Sequence, residues 1–203
     1  MISKEQSNAA PLYGLVLAGG KSVRMGHDKS IIHWHGVPQR YYMADLLTSL
    51  CADVFISCRP EQAGEIVAPY QALPDSAING GPLAGILSAF AFRQSVAWLV
   101  VACDLPLLDK ATLQNLITER DYNCIATTYV SPHDGLPEPL ISIWEPAAYP
   151  LLQAHIADGF KCPRKALIRN EQSVKIIVPP YPQALLNTNT PEDAEQVNKI
   201  LGK

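Results

Sequence analysis

The chain has 203 residues, of which 48% are hydrophobic, with a formal net charge of −3 and a pI near 5.9. This length predicts one domain over residues 1–203, with 1–11 as a flexible N-terminal arm, and the apolar fraction allows a sizeable core. The mildly acidic balance excludes a general attraction to nucleic acid or to an anionic membrane, so any polyanion must be bound locally.

The cysteines and the N-terminus indicate the compartment. Five cysteines stand apart, at positions 51, 58, 103, 124 and 162, without a C-x-x-C pair. This odd count argues against a disulfide framework or a structural zinc site and favours a reducing compartment. The polar stretch 1–11 lacks the apolar core of a secretory leader, and no apolar run approaches membrane length. We therefore expect a cytoplasmic protein without a membrane partner.

The first apolar run, Leu15–Ala18, ends in Gly19-Gly20, which predicts a buried strand that breaks into a turn. Lys21, Arg24 and Lys29 follow, and backbone N–H groups together with cations suit a polyphosphate. We therefore predict a nucleoside triphosphate at the end of this strand. The spacings match neither the P-loop nor the dinucleotide-binding pattern, so an ordinary glycine-rich turn with solvated lysines is the alternative.

Strand-like and helix-like segments alternate along the chain. Helices are predicted at 41–49, 61–70, 86–92, 112–119, 147–157, 162–170 and 191–201, and strands at 15–18, 53–58, 98–103, 124–130, 140–144 and 175–178. Continuous apolar strands between helices are typical of a parallel sheet covered on both faces. The segment 140–144 alternates and is expected to pair with 124–130 as an antiparallel hairpin. The fold class is therefore α/β, with three layers and a mostly parallel sheet.

Asp104 follows the most hydrophobic predicted strand of the chain. A buried carboxylate there would be costly without a partner, and a cation supplies one. Mg²⁺ commonly binds through one or two carboxylates together with substrate phosphates. Ligands of parallel sheets also bind outside the carboxyl ends of the strands, where both Gly19-Gly20 and Asp104 fall. The alternative role of Asp104 is to cap the turn at Leu105-Pro106.

Further polar positions are candidates. Asp75 precedes a second glycine-rich loop and could reach a nucleoside, although a turn-forming Asp is the alternative. Asn187 and Asn189 flank Thr188, and one is predicted to face a metal site while the other holds a turn. His33 and His35 are a weak candidate metal pair, because no further ligand lies nearby in the sequence.

Several motifs occur together in a fixed order between residues 12 and 200. They are Leu17-Ala18-Gly19-Gly20, Arg24-Met25-Gly26, Asp28-Lys29, Asp75-Ser76, Gly81-Pro82-Leu83-Ala84-Gly85, Asp104-Leu105-Pro106 and Asn187-Thr188-Asn189-Thr190-Pro191. The set resembles the molybdenum cofactor guanylyltransferases, a branch of the nucleotidyltransferases with a Rossmann-like fold. The first motif alone is shared by many nucleotidyltransferases, whereas the whole set is much more specific.

This resemblance implies an enzyme that joins GMP from GTP to Mo-molybdopterin and releases pyrophosphate, with Mg²⁺ as cofactor. Asp104 would be the metal ligand and, with Arg24 and Lys29, the catalytic group. The implied nucleotide contacts are Leu17, Ala18, Gly19, Gly20, Lys29, Asp75, Pro82, Leu83, Gly85 and Asp104. The implied contacts to the pterin substrate are Lys161, Arg164, Lys165, Asn187 and Asn189. The three basic residues of that set could equally form a solvated face.

Two positions depart from the family pattern. Ser57 stands at a strand end where the family commonly has Asn, and Glu138 has no role in the pattern. Gly19-Gly20 together with Pro82–Gly85 resembles the guanine-selecting version of the site. The alternatives are a nucleotidyltransferase that uses CTP on molybdopterin or an NTP on a sugar phosphate, and a non-catalytic nucleotide-binding protein that delivers the cofactor. Transient contact with molybdenum-insertion proteins or molybdoenzymes is a further expectation.

Overall fold

The computed structural model describes residues 9–20, 28–76 and 81–202. Within them the strands are β1 (Leu12–Leu17), β2 (Val54–Cys58), β3 (Gln71–Pro74), β4 (Ala97–Ala102), β5 (Ala126–Val130), β6 (Pro137–Trp144) and β7 (Val174–Ile177). The α-helices are α1 (Gln39–Thr48), α2 (Pro82–Phe92), α3 (Lys110–Thr118), α4 (Ala148–Ala157), α5 (Pro163–Arg169) and α6 (Pro191–Ile200). Short 3₁₀ helices occupy Lys29–Ile31, Pro60–Glu65, Glu171–Ser173 and Pro182–Leu185.

The strands form one sheet in the order β3-β2-β1-β4-β6-β5-β7. All neighbours are parallel except β6, which runs antiparallel to both β4 and β5. In the central register Leu17 pairs with Ser57 on one side and with Ala102 on the other. The carboxyl ends of three adjacent strands therefore lie at one edge of the sheet.

The core lies in two layers, one on each face of this sheet. Successive strand residues point to opposite faces, so Leu15 packs with the layer of α2, α4 and α5, whereas Val16 packs with that of α1 and α3. Every residue of β4 is buried, since helices cover both of its faces. The predicted three-layer α/β architecture with a mostly parallel sheet and an antiparallel hairpin is confirmed.

The predicted helix at 61–70 is wrong. A 3₁₀ helix over Pro60–Glu65 occupies its first half, and the chain then leads into β3. Gly64 and Pro69 explain the difference, because glycine weakens a helix and proline removes a backbone donor from its interior. Among the elements that begin earlier than predicted, α2 begins at Pro82 and β6 at Pro137. Proline fits the first turn of a helix, and the β5–β6 register shifts between Thr128 and Val130, which accommodates a strand proline.

Ala10 and Pro11 are hydrogen-bonded to the body of the protein. The carbonyl of Ala10 accepts from Arg120 Nη2 at 2.9 Å, and that of Pro11 accepts from Ala97 N at 2.9 Å. Arg120 is itself paired with buried Glu145 at 2.6 Å. All five cysteines are free thiols. In the described part of the chain, no helix is long and apolar enough to cross a membrane.

Candidate functional site

The first part of the site is a corner where β1 and β2 end. A Cβ on Gly19 would stand 3.0 Å from Asp75 Oδ2, so glycine permits this close approach. The Ser57 hydroxyl donates to Asp75 Oδ1 at 2.6 Å. Burial raises the pKa of Asp75, while the hydrogen bond from Ser57 and the charge of Arg59 counteract that rise. Ser57, which stands where the family commonly has Asn, thus has a defined role: its hydroxyl holds the Asp75 carboxylate.

The first turn of α2 closes this corner from the other side. A Cβ on Gly85 would come within 2.7 Å of Leu17 Cδ2 and would clash with the Ser57 hydroxyl. The helix therefore approaches both strand ends only because residue 85 has no side chain. The predicted nucleotide contacts at Leu17, Gly19, Asp75 and Gly85 are thus neighbours. Leu83 is fully buried in the core, so its side chain is not available to a ligand.

Asp104 lies just beyond β4 at the same sheet edge. Its Oδ1 atom is buried and has no hydrogen-bond partner among the described residues. Burial raises the pKa of Asp104, the charge of Lys29 lowers it, and that of Glu138 raises it further. A buried carboxylate oxygen without a donor is the type of ligand that a hard cation such as Mg²⁺ binds. The position therefore fits the metal role that the sequence predicts for it.

The segment from Asn187 to Asn189 is attached beside Asp104. Thr188 N donates to the Asp104 carbonyl at 2.8 Å. On one side of Thr188, Asn187 lines the same pocket as Asp104. On the other side, Asn189 Oδ1 accepts from Lys29 Nζ at 2.6 Å. Asn187 therefore faces the pocket of Asp104, and Asn189 holds the predicted phosphate-binding lysine.

The cap of α6 fixes the position of Asn189. Asp193 Oδ2 accepts from the backbone N–H of Asn189 at 2.8 Å and from that of Thr190 at 2.9 Å. The Thr190 hydroxyl accepts from Asp193 N in return at 3.2 Å, which completes a capping box. These hydrogen bonds lower the pKa of Asp193. The helix start predicted at Thr190-Pro191 is thus confirmed, and it positions a site residue.

A pocket of about 600 Å³ extends from Asp104 toward the second half of the chain. Its lining combines apolar and charged side chains: Pro82, Asp104, Leu105, Glu138, Pro139, Leu140, Ile141, Lys161, Cys162, Pro163, Arg164, Leu185 and Asn187. Arg164 donates through Nη2 to Glu138 Oε1 at 2.9 Å and through Nη1 to Asp134 Oδ2 at 2.7 Å. One wall of the pocket thus carries Lys161 and an arginine that is paired with two carboxylates.

The family model of the MobA-like NTP transferase domain matches residues 14–174. The chain belongs to this family. It is 30% identical over 192 residues to a molybdenum cofactor guanylyltransferase of Pseudomonas entomophila, an alignment that covers 92% of this chain and 98% of that protein. It is 37% identical over 196 residues to a molybdenum cofactor biosynthesis bifunctional protein of Synechocystis, covering 96% of this chain but only 56% of that protein.

Solved structures agree with the fold of this MobA-like protein. Molybdopterin-guanine dinucleotide biosynthesis protein A from Archaeoglobus fulgidus superposes with a TM-score of 0.76 at 23% identity, over 94% of this chain and 98% of that one. A nucleotidyl transferase from Methanothermobacter superposes with a TM-score of 0.73 at 16% identity, over 94% of this chain and 97% of that one. The predicted family, fold and enzyme class, a nucleotidyltransferase, are therefore confirmed.

The three basic residues predicted to bind the pterin substrate separate in the structure. Lys161 and Arg164 line the pocket, whereas Lys165 is exposed and outside its lining. Arg164 and Lys165 are adjacent in α5 and point about 100° apart, and only Arg164 reaches the pocket. Spacing alone does not separate them, because the consecutive residues Cys162, Pro163 and Arg164 all line the pocket.

Glu138 is a site residue to which sequence reasoning gave no role. It is buried at the start of β6, lines the pocket and pairs with Arg164. The β4–β6 register pairs Val101 with Ile141, and continuing it places residue 138 opposite residue 104. That pairing joins distant segments, and only knowledge that β6 lies next to β4 would have indicated it.

Two further predicted positions have different outcomes. His35 Nε2 donates to the Pro106 carbonyl at 2.8 Å and stacks on Tyr42 at 3.7 Å, so it anchors the turn after Asp104. No group of three or more metal-ligating His, Cys, Asp or Glu side chains occurs among residues 9–20, 28–76 and 81–202. Arg24, predicted as catalytic, lies outside the described residues.

Proposed function

We propose that this protein is a guanylyltransferase that transfers GMP from GTP to Mo-molybdopterin. The phosphate monoester of the pterin would attack the α-phosphorus of GTP, forming a new phosphoanhydride bond while pyrophosphate leaves. One observation carries the proposal within this family. The buried Oδ1 of Asp104 has no hydrogen-bond partner among the described residues, and Asp104 lines a pocket that also contains Lys161 and Arg164, at the sheet edge where the glycine-lined corner lies.

The glycine-lined corner is the proposed nucleotide site. Gly19, Gly20 and the first turn of α2 would approach GTP through backbone, since Ala18 and Leu83 are buried in the core. Asp75, held by Ser57, would accept hydrogen bonds from the nucleoside. Its partly buried carboxylate is aimed by a 2.6 Å hydrogen bond, and such preorganisation strengthens polar recognition.

Lys29 and Arg24 are the proposed cations of the pyrophosphate leaving group. Lys29 donates a hydrogen bond to Asn189. Its positive charge partly offsets the rise that burial causes in the pKa of Asp104. Nucleotidyltransferases of this family typically need a divalent cation. In this chain Asp104 would hold Mg²⁺, which supplies neutralisation of phosphate charge when it is bound. Since the attacking group is already an anion, catalysis consists of positioning and charge neutralisation.

The pocket beyond Asp104 is the proposed site of the pterin substrate. Leu105, Pro139, Ile141 and Leu185 give it apolar walls that suit a planar ring system. Lys161, Arg164 and Asn187 would bind its phosphate and polar edges. Arg164 enters this role preoriented, because Glu138 and Asp134 already hold its guanidinium. Lys165 lies outside the lining and has no proposed contact.

The test is a substrate panel. Purified protein is incubated with Mg²⁺, molybdopterin and each of GTP, CTP, ATP and UTP, and pyrophosphate release and product mass are measured. We expect pyrophosphate and the guanine dinucleotide with GTP only. Turnover with CTP alone would support the cytidylyl alternative. Nucleotide binding without pyrophosphate would support a delivery protein. The five free thiols agree with a cytoplasmic setting, where transient contact with molybdoenzymes would follow.

A further inference from the structure

The short 3₁₀ helix Pro60–Glu65 connects two parts of the proposed nucleotide site. At its start, Arg59 Nη1 donates to the carbonyl of Gly19 at 2.9 Å and to that of Gly20 at 3.4 Å. One turn later, Gln62 Nε2 donates to Asp28 Oδ2 at 2.8 Å. The strand end at Gly19-Gly20 and the Asp28-Lys29 corner are therefore both attached to one short segment.

Gln62 uses both ends of its amide. While Nε2 donates to Asp28, Oε1 accepts from the backbone N–H of Arg59 at 3.1 Å. The residue is only 3% exposed, so neither hydrogen bond is readily exchanged for one with water. The two bonds also fix which way the amide points, because turning it over would set a donor against the Arg59 N–H. The Gln62–Asp28 hydrogen bond therefore has a defined direction.

Asp28 transmits this position to Lys29. Its second oxygen, Oδ1, accepts from Ser30 N at 2.8 Å and so caps the 3₁₀ helix Lys29–Ile31. Both carboxylate oxygens of Asp28 are thus committed, one to its own helix and one to Gln62. Lys29 is the first residue of that helix, and its Nζ lies 2.6 Å from Asn189 Oδ1.

Arg59 acts on the strand end in a complementary way. Backbone carbonyl oxygens carry negative partial charge and would repel a phosphate. The guanidinium holds the carbonyls of Gly19 and Gly20 on its own side, where its positive charge offsets them. In the planar trans peptide between these two residues, the N–H of Gly20 points away from the Gly19 carbonyl. The peptide donor is thus left for a ligand on the opposite side.

We propose that Gln62 is a positioning residue for guanylyl transfer. Through Asp28 it sets Lys29 relative to the Gly19-Gly20 strand end, so that both meet the triphosphate together. This inference rests on the proposed function, because it assumes that these two elements bind the phosphates of GTP. Gln62 itself touches no substrate.

The test reverses the direction of one hydrogen bond. Gln62→Glu keeps the shape and the acceptor for Arg59 N but sets a carboxylate against Asp28. Asp28→Asn keeps the acceptor for Ser30 N but sets an amide donor against the Gln62 donor. In the double variant the new amide at position 28 can donate to the new carboxylate at position 62, and the connection is restored with its polarity exchanged. Gln71→Glu is the matched control. Gln71 Nε2 donates to Asp53 Oδ1 at 2.6 Å, and this pair lies at the amino ends of β3 and β2, away from the site.

We expect each single variant to lower kcat/KM for GTP by about 10- to 100-fold, the usual cost of a displaced site element. KM for molybdopterin should stay unchanged, and the double variant should recover to within about threefold of wild type. Calorimetric titration of GTP in the absence of molybdopterin should show the same ranking: wild type and the double variant bind GTP more tightly than either single variant. Gln71→Glu should match wild type in every measurement.

Three outcomes would overturn the inference. They are wild-type GTP kinetics in Gln62→Glu, an equal loss of kcat/KM for GTP and for molybdopterin in the single variants, or a double variant whose kcat/KM for GTP stays as low as that of the single variants. If Gln62→Glu fails to fold, Asp28→Asn and the double variant still decide the matter by loss and recovery. Wild-type protein assayed in parallel separates the two hypotheses. Absence of pyrophosphate release from wild type would contradict the proposed function, whereas active wild type with unaffected variants would contradict only the role of Gln62.

Discussion

The two halves of the site are built from different materials. The proposed nucleotide corner depends on absent side chains, since Gly19 and Gly85 let backbone and helix approach strand ends. The proposed pterin pocket depends on charged side chains, with Arg164 held between Glu138 and Asp134. Shape complementarity through backbone tolerates almost no added atom, whereas ion pairs tolerate small displacements and respond to salt. The first half should therefore be rigid and selective, and the second adaptable.

The largest effect is expected where the two halves meet. Asp104→Asn should reduce Mg²⁺-dependent pyrophosphate release by about a thousandfold or more, because it removes the proposed metal ligand. The same variant should unfold at the same or a higher temperature, since burial penalises the Asp104 charge and so raises its pKa. Assays over a range of Mg²⁺ concentrations, together with thermal unfolding, check both. Activity near wild type would exclude the metal role.

The rigidity of the proposed nucleotide corner can be tested by adding one methyl group at Gly85. Gly85→Ala forces its Cβ against Leu17 and Ser57, so we expect a loss of about 1–3 kcal/mol in the free energy of unfolding. KM for GTP should rise as α2 moves away. Gly64→Ala is the matched control, because a Cβ added there would have nothing within 4 Å. Equal stability of the two variants, measured by denaturant titration, would show that the corner is not tightly packed.

The charge of the pterin pocket is tested by Arg164→Ala. We expect KM for molybdopterin to rise about tenfold, the usual loss of one charge-assisted phosphate contact, with KM for GTP unchanged. The affinity difference from wild type should shrink in high salt. Lys165→Ala, on the neighbouring exposed residue, should behave like wild type. A change in KM for GTP instead would place Arg164 in the nucleotide half.

The smallest effect concerns the cap that joins the two halves. Asp193→Asn should lower stability by about 0.5–1 kcal/mol at neutral pH, because it weakens a capping box. The folded-state pKa of Asp193 lies below the ordinary value of 3.8, so this stabilisation is present above that value. It is lost as the pH falls through the lowered pKa, and the two proteins should then converge. Unfolding measured from pH 7 down to acid checks the sign.

Asp104 should show the opposite pH dependence. Its folded-state pKa is raised above the ordinary value of 3.8, so the folded protein binds the proton more tightly than the unfolded chain. Its contribution to stability therefore falls as the pH rises from 3.8 through the raised pKa. Subtracting the stability curve of Asp104→Asn from that of wild type isolates this slope.

Local pattern was sufficient for much of the fold. The apolar run of β4 ends at Asp104, and this alone predicted a strand, its end and a buried carboxylate. Thr190-Pro191 likewise predicted the start of α6 from capping chemistry. The prediction of a helix at 61–70 failed because Gly64 and Pro69 interrupt that segment. Local propensity predicts elements well when they are long and uninterrupted.

The contacts that complete the site are not local. Glu138 meets Arg164 across 26 positions and Gln62 meets Asp28 across 34. Both pairs form because the sheet order brings separate connections to one edge, and strand order is not encoded in any single segment. Sequence motifs predicted the glycines that the structure brings together at the corner of β1, β2 and α2. The partners that orient Arg164 and Lys29 required the assembled sheet.

The single reversed strand has a consequence for how the active site can diversify. Because β6 runs against β4, it presents its first residues, near Glu138, at the edge where the other strands present their last. The connection over residues 131–136 therefore lies beside the proposed acceptor pocket, where its Asp134 accepts a hydrogen bond from Arg164 of the lining. Lengthening or exchanging that connection would alter which acceptor enters while leaving the nucleotide corner intact. If the proposed sites hold, we expect grafted β5–β6 connections to change the choice of acceptor and to leave the choice of nucleotide unchanged.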